Sequence, residues 1–531
     1  MLPADLTGQT KDVRGTKILP GAILFTEKKI LSGDLQQRDL LNNYRLTNKS
    51  NLFMTVVMDK PLAARLQELA PSLSPESLYK SGNYQFTFYV DDRLIYQTNL
   101  LPGAPAMQQQ QTEVNWCRPL IDNQNEGGVW SQFLWSRFMY NGGDSSLTEG
   151  KHQLKIEIRP YIKTPEVKVG ALIAAGQLEL QVQRKPVTDY AGIHISPLKP
   201  YAGLEVSSAR FDQRRIKELI ANIEADVFKH VTSVVVIKNG RLLIEEYFNG
   251  AGRDSLHDMR SVGKSFASTM TGIAIGEGYL QSEYLTLHRY YDLKKYERYS
   301  VAKDSVSIRD LLTMSSGFDG DDDDPESPGN EENMYPADNW VKFTLDLPMD
   351  TVKYHGQWHY FTAGVMLLGS MLDKIVPGGL ERYADNKLFA PLQITHYKWQ
   401  YTPQYAPNTA GGIRMNALDF AKYGQLYQNN GRWKSHQLIP EAWVAKTFSR
   451  QRAIAGRDKE YYGYLFWNKT YHVNGKSYEA YYCSGNGGNK IFVFKGLPVV
   501  VVITCTAYGR GYAHQQADKM MVEYILPAII K

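Results

Sequence analysis

The chain of 531 residues has three cysteines, Cys117, Cys483 and Cys505, and contains no Cys-x-x-Cys pair and no Cys/His cluster. Three scattered thiols cannot build a disulfide framework, and they offer no recognisable zinc site. Charge of one sign is in little excess, since 60 Lys and Arg against 55 Asp and Glu leave a formal net charge of +5. No basic stripe gathers along any segment, which argues against the phosphate-tracking surface of a nucleic-acid binder. Long apolar runs are missing too. The longest, such as 498–503, fall far short of the roughly 20 residues that a membrane-spanning helix needs. The first residues, Met-Leu-Pro-Ala-Asp, lack the basic and apolar regions of a signal peptide.

Several catalytic signatures are absent as well. No Gly-x-Ser-x-Gly occurs, so there is no nucleophile elbow of the α/β-hydrolase kind. Gly263-Lys264-Ser265 resembles the end of a phosphate-binding loop, but Asp258 stands where its opening glycine belongs. Gly485-Asn486-Gly487-Gly488 lacks the third glycine of a dinucleotide fingerprint, because Lys490 occupies that position. His355 and His359 are spaced like helical metal ligands, yet Gly356, Gln357 and Trp358 between them supply no glutamate base. No metal and no organic cofactor is expected.

What is present is the composition of a folded globular protein, with 43% hydrophobic, 12% aromatic and 22% charged residues. Its length predicts two or three domains with real cores. Up to about residue 185 the informative segments alternate with period two, at 51–58, 84–90, 93–98, 152–159 and 177–183, with helical spacing at 61–69. Alternation broken by polar turns predicts a β-rich, sandwich-like domain over 1–185. Residues 186–205, with Pro186, Pro197 and Pro200, read as a linker.

From 206 to 531 the pattern becomes α+β. An amphipathic helix at 214–228 precedes a hairpin, 232–237 and 241–248, turned by Asn239-Gly240. Further helices are expected at 261–275, 307–314, 363–375 and 417–428, then strands at 491–494 and 499–504 and a last helix from 515. The prediction is an antiparallel sheet flanked by helices.

Within it, Ser261-Val262-Gly263-Lys264 opens an apolar helix, and the i, i+3 spacing puts hydroxyl and ammonium on one face. A buried lysine loses its proton more readily, and the free amine can take the serine proton. The segments that follow in order are Arg309-Asp310-Leu311-Leu312-Thr313-Met314-Ser315-Ser316-Gly317, Trp358-His359-Tyr360-Phe361-Thr362-Ala363-Gly364, Ala410-Gly411-Gly412-Ile413 with Asp419-Phe420-Ala421, Tyr462-Gly463-Tyr464 and Ser484-Gly485-Asn486-Gly487-Gly488-Asn489. With Met259 to Ser265, this series resembles the serine β-lactamase and penicillin-binding-protein superfamily, in the class C-like branch of family VIII carboxylesterases and 6-aminohexanoate-dimer hydrolases. The resemblance runs from about Phe211 to the C-terminus.

The resemblance implies a β-lactamase/transpeptidase-like fold and a serine hydrolase that cleaves an ester or amide bond through an acyl-enzyme. It makes Ser261 the nucleophile, Lys264 its proton acceptor and Tyr360 the relay to the leaving group. The backbone N–H groups of Ser261 and Asn486 would form the oxyanion hole, and Thr362, Ser484 and Gly485 would contact substrate. The implied partner is a small ester, amide or peptide-like molecule. Relatives are often exported, so a periplasmic or secreted setting with the signal peptide removed is the matching expectation.

Two departures bear on substrate. Cys483 stands where β-lactamases carry a Lys or His that grips the substrate carboxylate, and Thr362 replaces the Asn of the Tyr-x-Asn motif. The rival readings are a true β-lactamase or D-alanyl-D-alanine carboxypeptidase, and an idle binding module. The acidic segment 319–332 holds eight carboxylates in fourteen residues. It reads as a solvated loop, with a cation site or a substrate-selecting rim as alternatives. Trp116, Trp130 and Trp135 read as core, with a carbohydrate platform as the alternative.

Overall fold

The structure, a computed structural model, describes residues 11–13, 16–30, 34–47, 50–100, 113–122, 131–183, 191–354 and 356–530. The chain divides into two compact units, one of residues 1–187, 225–227 and 509–512, the other of 188–224, 228–508 and 513–531. Most of the segment read as a linker, from Thr188 on, belongs to the second unit.

In the first unit, strands β1 (Ala22–Thr26), β2 (Asn43–Leu46), β3 (Leu52–Val57), β4 (Gly82–Val90), β5 (Arg93–Asn99), β6 (Asn115–Ile121), β7 (Gly150–Lys163), β8 (Val167–Val169) and β9 (Ala174–Val182) form one continuous sheet. The order is β5-β4-β7-β9-β1-β3-β6, with β8 on β7 and β2 on β9. All pairs are antiparallel except those of β9 with β1 and β2. Period two explains the core, because side chains two apart share a face. Phe86, Phe88 and Val90 of β4 lie directly across from Ile158, Ile156 and Leu154 of β7, all buried. Asp91 and Asp92, both at positive φ, turn the β4–β5 hairpin. Trp116 and Trp135 are buried against Tyr84 and Phe138, so both are core residues; Trp130 lies outside the described residues.

The second unit carries an eight-stranded antiparallel sheet. Its strands are β10 (Val231–Lys238), β11 (Arg241–Tyr247), β12 (Arg452–Ala453), β13 (Tyr461–Tyr462), β14 (Trp467–Val473), β15 (Lys476–Gly485), β16 (Asn489–Phe494) and β17 (Val499–Cys505), in the order β11-β10-β17-β16-β15-β14-β13-β12. β17, Val-Val-Val-Val-Ile-Thr-Cys, is buried throughout, as a central strand of branched residues should be. Helix α1 (Gln213–Glu224) buries Ile216, Leu219, Ile220 and Ile223, a single stripe at helical spacing.

Helices α2 (Gly263–Gly276) and α3 (Thr362–Ile375) show no polar face in their first three turns. They are apolar or small all round and pack on each other in the core. Helix α4 (Ala417–Gln428), capped by the Asn416 side chain on the Asp419 N–H, lies on β10, β16 and β17. Helix α5 (Ala513–Met520) contacts β16. A small three-stranded sheet pairs His257–Asp258 with Ile413–Met415, and the latter with Lys398–Trp399. This pairing delivers residues 410–412 to the start of α2.

One buried ion pair anchors α4. Lys422 Nζ lies 2.7 Å from Asp419 Oδ1, and both side chains are almost without solvent exposure. Lys422 also donates to the carbonyl of Gln393 at 2.9 Å, while Asn416 Nδ2 donates to Asp419 and to the Tyr201 hydroxyl. Burial pushes the carboxyl up and the amine down, but mutual attraction opposes both shifts. Asp419→Ala leaves a buried ammonium unpaired and should cost about 3–5 kcal/mol of unfolding free energy. Urea denaturation followed by tryptophan fluorescence checks the figure; a loss below about 1 kcal/mol would contradict this role.

Candidate active site

The nucleophile candidate sits in a tight turn, Arg260–Val262, that leads into α2. Arg260, immediately before Ser261, adopts φ of 52°, a left-handed conformation that a non-glycine residue holds only when its surroundings enforce it. Here Asp258 does so. Its Oδ1 accepts the Arg260 N–H at 3.1 Å, its Oδ2 accepts from Arg414 at 3.1 Å, and its carbonyl accepts from the Tyr508 hydroxyl at 2.7 Å. The Arg260 guanidinium lies 4.3 Å over the Tyr508 ring.

Glycines let other backbones close on this turn. A Cβ on Gly411 would stand 2.8 Å from the Arg260 carbonyl oxygen and 3.2 Å from Ser261 N. One on Gly485, at the end of β15, would overlap the Met259 carbonyl oxygen and come within 3.2 Å of Ser261 N. The Ser261 amide is thus flanked by two positions where only glycine fits.

Lys264 Nζ donates to Ser261 Oγ at 2.7 Å and to the Ala410 carbonyl at 2.7 Å. It is 2% exposed, and its ammonium lies 5.2 Å over the Tyr360 ring. Burial pushes the Lys264 pKa down, against the opposing pull of Glu331 and Asp322. The Tyr360 phenol shares a hydrogen bond with the Ser261 side chain, and burial raises its pKa well above the usual phenol value. The two shifts run in opposite directions, the amine's hold on its proton weakened and the phenol's strengthened. Tyr360 stacks on Trp467 at 5.7 Å, and Trp358 packs edge-on against Trp467 at 5.3 Å, making an aromatic wall beside the trio.

The third segment arrives on β15 and β16. Asn489 accepts the Cys505 N–H at 2.8 Å and donates to the Asn486 carbonyl at 2.8 Å. Gly487 and Gly488 have φ of 91° and 86°. These features shape the turn that carries exposed Asn486 past Gly485, next to Ser261. Cys483 is fully buried, and burial lifts its thiol to about 12, so it is a neutral core residue.

Three findings add to the sequence reading. The strand next to Cys483 carries an amine, since Lys490 faces Ser484 across the pair and donates to its hydroxyl at 2.9 Å. The Gly487-Gly488 turn signals that hairpin, but its register is a property of the fold. Thr362 is buried at the first residue of α3, its N–H donating to Asp322 Oδ2 at 2.7 Å. The acidic segment is not a merely solvated loop: Asp322 N–H donates to the Tyr360 carbonyl at 2.8 Å. His355 lies outside the described residues, and His359 is buried beside Tyr354 with its pKa lowered to about 4.

Residues 219–522 match the model of the family described as Beta-lactamase. The chain belongs to the beta-lactamase family. Over 282 residues this family member is 21% identical to a 6-aminohexanoate-dimer hydrolase of Paenarthrobacter ureafaciens, an overlap of 50% of this chain and 65% of that protein. It thus spans less than two thirds of the length of that curated relative. Among solved structures it is similar to a penicillin binding protein from Bacillus halodurans, with a TM-score of 0.44 and 17% identity over 55% of this chain and 97% of the other. A D-stereospecific amidohydrolase from a Streptomyces species gives 0.44 and 15% over 56% and 95%.

The glycine contacts give a direct test. Gly485→Ala drives a methyl group into the Met259 carbonyl, so β15 and the Ser261 turn must separate. A misplacement of about 1 Å near reacting atoms costs on the order of 100-fold in rate. Any hydrolytic or acylation activity assigned to Ser261 should fall by at least that factor, with an unchanged far-ultraviolet circular dichroism spectrum. Full activity in this variant would show that the approach of β15 to Ser261 does not matter.

Proposed function

We propose that this protein is a serine hydrolase that opens an ester or amide bond through an acyl-enzyme on Ser261. The observation that carries the reading is the 2.7 Å contact between Ser261 Oγ and the buried Lys264 amine, whose pKa burial lowers. The amine takes the Ser261 proton as Oγ adds to the substrate carbonyl. The negative oxygen of the tetrahedral intermediate is met by the N–H groups of Ser261 and Asn486. Tyr360 then gives its proton to the departing alcohol or amine and regains one from the Lys264 ammonium. In the second half Lys264 and Tyr360 activate water, which releases the acid and restores Ser261. The same residues hold every proton, and the scheme needs no cofactor.

The likeness to a 6-aminohexanoate-dimer hydrolase supports small linear amides as the substrate class. The charges around the site support neutral or cationic substrates, because Asp322 and Glu331 both favour positive charge at Lys264. A second reading, a β-lactamase or D-alanyl-D-alanine carboxypeptidase, is favoured by one observation, the Lys490 hydrogen bond to Ser484. Lys490 is 4% exposed, however, and burial lowers its pKa to about 7, which weakens the charge it can offer an anion.

Ser261 should be the sole acylated residue. A fluorophosphonate adds one label to the peptide holding Met259 to Lys264, and Ser261→Ala abolishes it; persistent labelling in the variant rules this nucleophile out. Lys264→Ala and Tyr360→Phe should each lose roughly 3–5 kcal/mol of transition-state stabilisation, and the double variant should lose much less than their sum. Because the active form carries an unprotonated Lys264, kcat/KM should climb as pH rises through the lowered lysine pKa. A profile falling steadily above neutrality counts against this base.

Selectivity forms a separate expectation. A neutral p-nitrophenyl ester should be a better substrate than a matched carboxylate-bearing one or a chromogenic cephalosporin. The gap should narrow as salt shortens the Debye length to about 3 Å at 1 M. A preference for the anionic ester would favour the second reading.

A further inference from the structure

Asp322 joins the acidic segment to the catalytic trio at both ends of one tripeptide. Its N–H donates to the Tyr360 carbonyl at 2.8 Å, and its Oδ2 accepts the Thr362 N–H at 2.7 Å. Its Oδ1 accepts the Glu331 N–H at 2.8 Å. Tyr360-Phe361-Thr362 is therefore gripped by one residue before and after Phe361. The Phe361 ring, buried beside Phe318 at 5.9 Å, fills the space that a side chain on Gly320 would need. Asp322 fixes the chain just after Tyr360, and the His359 N–H, donating to the Met314 carbonyl at 3.0 Å, fixes it just before.

The same carboxylate is buried, and burial with the neighbouring Glu331 pushes its pKa up to about 7, against the opposing hydrogen bonds of Thr362 and the attraction of Lys264. Lys264 of α2, Tyr360, Glu331 and Asp323 surround it. Glu331 Oε2 accepts from the Tyr335 hydroxyl at 2.9 Å, Arg260 acts on Tyr335, and Arg457 acts on Asp323. Asp322 and Glu331 both favour the ammonium form of Lys264, and burial opposes them.

We propose that Asp322, with Glu331 beside it, is a positioning residue of this site: its backbone and carboxylate hold Tyr360 in register with Ser261, and the charge of the pair sets how tightly Lys264 keeps its proton. The inference rests on Lys264 acting as the base. Removing the charge makes Lys264 give up its proton at lower pH, whereas loosening Tyr360 lowers the rate at every pH. A residue that only supports the fold does the second and not the first.

The test uses the full chain and a short p-nitrophenyl ester, with kcat/KM measured from pH 5 to 10, since this ratio reports the groups of the free enzyme. Asp322→Asn should move the acid limb to lower pH by about one unit, as expected for loss of a nearby opposite charge, and lower the plateau about tenfold. Glu331→Gln keeps the backbone donor to Asp322 and should move the limb in the same direction. Asp322→Glu, which retains the charge, should leave the limb in place while lowering the plateau. If Asp322→Asn loses its cooperative thermal unfolding, Glu331→Gln decides. Limbs that superimpose on wild type in the neutral variants overturn the proposal. Lys264→Ala separates the two claims. If it retains wild-type activity, the base assignment fails; if it is inactive and the limbs do not move, only the role of Asp322 and Glu331 fails.

Discussion

A lysine ammonium stripped of water and given one hydroxyl and one carbonyl as partners is the constraint around which the second unit is arranged. Removing a cation from water is costly, and two neutral acceptors recover only part of that cost. The remainder appears as a weakened hold on the proton, which is what a base at Ser261 needs. Three elements enclose the amine. Helix α2 brings Lys264 in on a cylinder of apolar and small side chains buried through its first three turns, and the strand pairing of His257–Asp258 with Ile413–Met415 carries the Ala410 carbonyl to its side. The Tyr360 ring closes the face above it.

Desolvation alone would weaken Lys264 without limit, and the acidic segment counteracts it. Asp322 and Glu331 put negative charge where the ammonium can feel it, so burial and attraction act on the same amine in opposite directions. That balance is lodged in main-chain hydrogen bonds to Tyr360 and Thr362, so the electrostatics and the aim of the phenol cannot change independently. The strain of a left-handed Arg260 belongs to the same economy of position: Asp258 holds the turn, and Gly411 and Gly485 let two further backbones approach the Ser261 amide.

Much of the architecture was legible in local pattern. Alternation marked β3, β4, β5, β7 and β9 of the first unit within a few residues of their ends, because a half-buried strand writes its faces into consecutive residues. Asn239-Gly240 marked the β10–β11 turn, because few residues other than Asn and Gly accept positive φ there. The strands β1, β2, β6 and β8 were not marked. β1, β2 and β8 are short, and β6 carries Arg118 and Pro119 in a run whose burial comes from its neighbours rather than from its own period.

By itself the sequence determined the i, i+3 spacing that lets Ser261 meet Lys264 where the Arg260–Val262 turn runs into α2. It also determined that the 485–489 stretch must bend sharply. Tertiary structure alone decided the rest. The partner carbonyl of Lys264 lies 146 residues away at Ala410. Lys490 faces Ser484 only because β15 and β16 pair in one register of several that the turn allows. Thr362 was sequestered, and Asp322 chosen from among eight acids, by the packing of Phe361 and the start of α3. Such relations depend on distances between segments remote in the chain, and these are set by how faces stack rather than by any spacing that a sequence can carry.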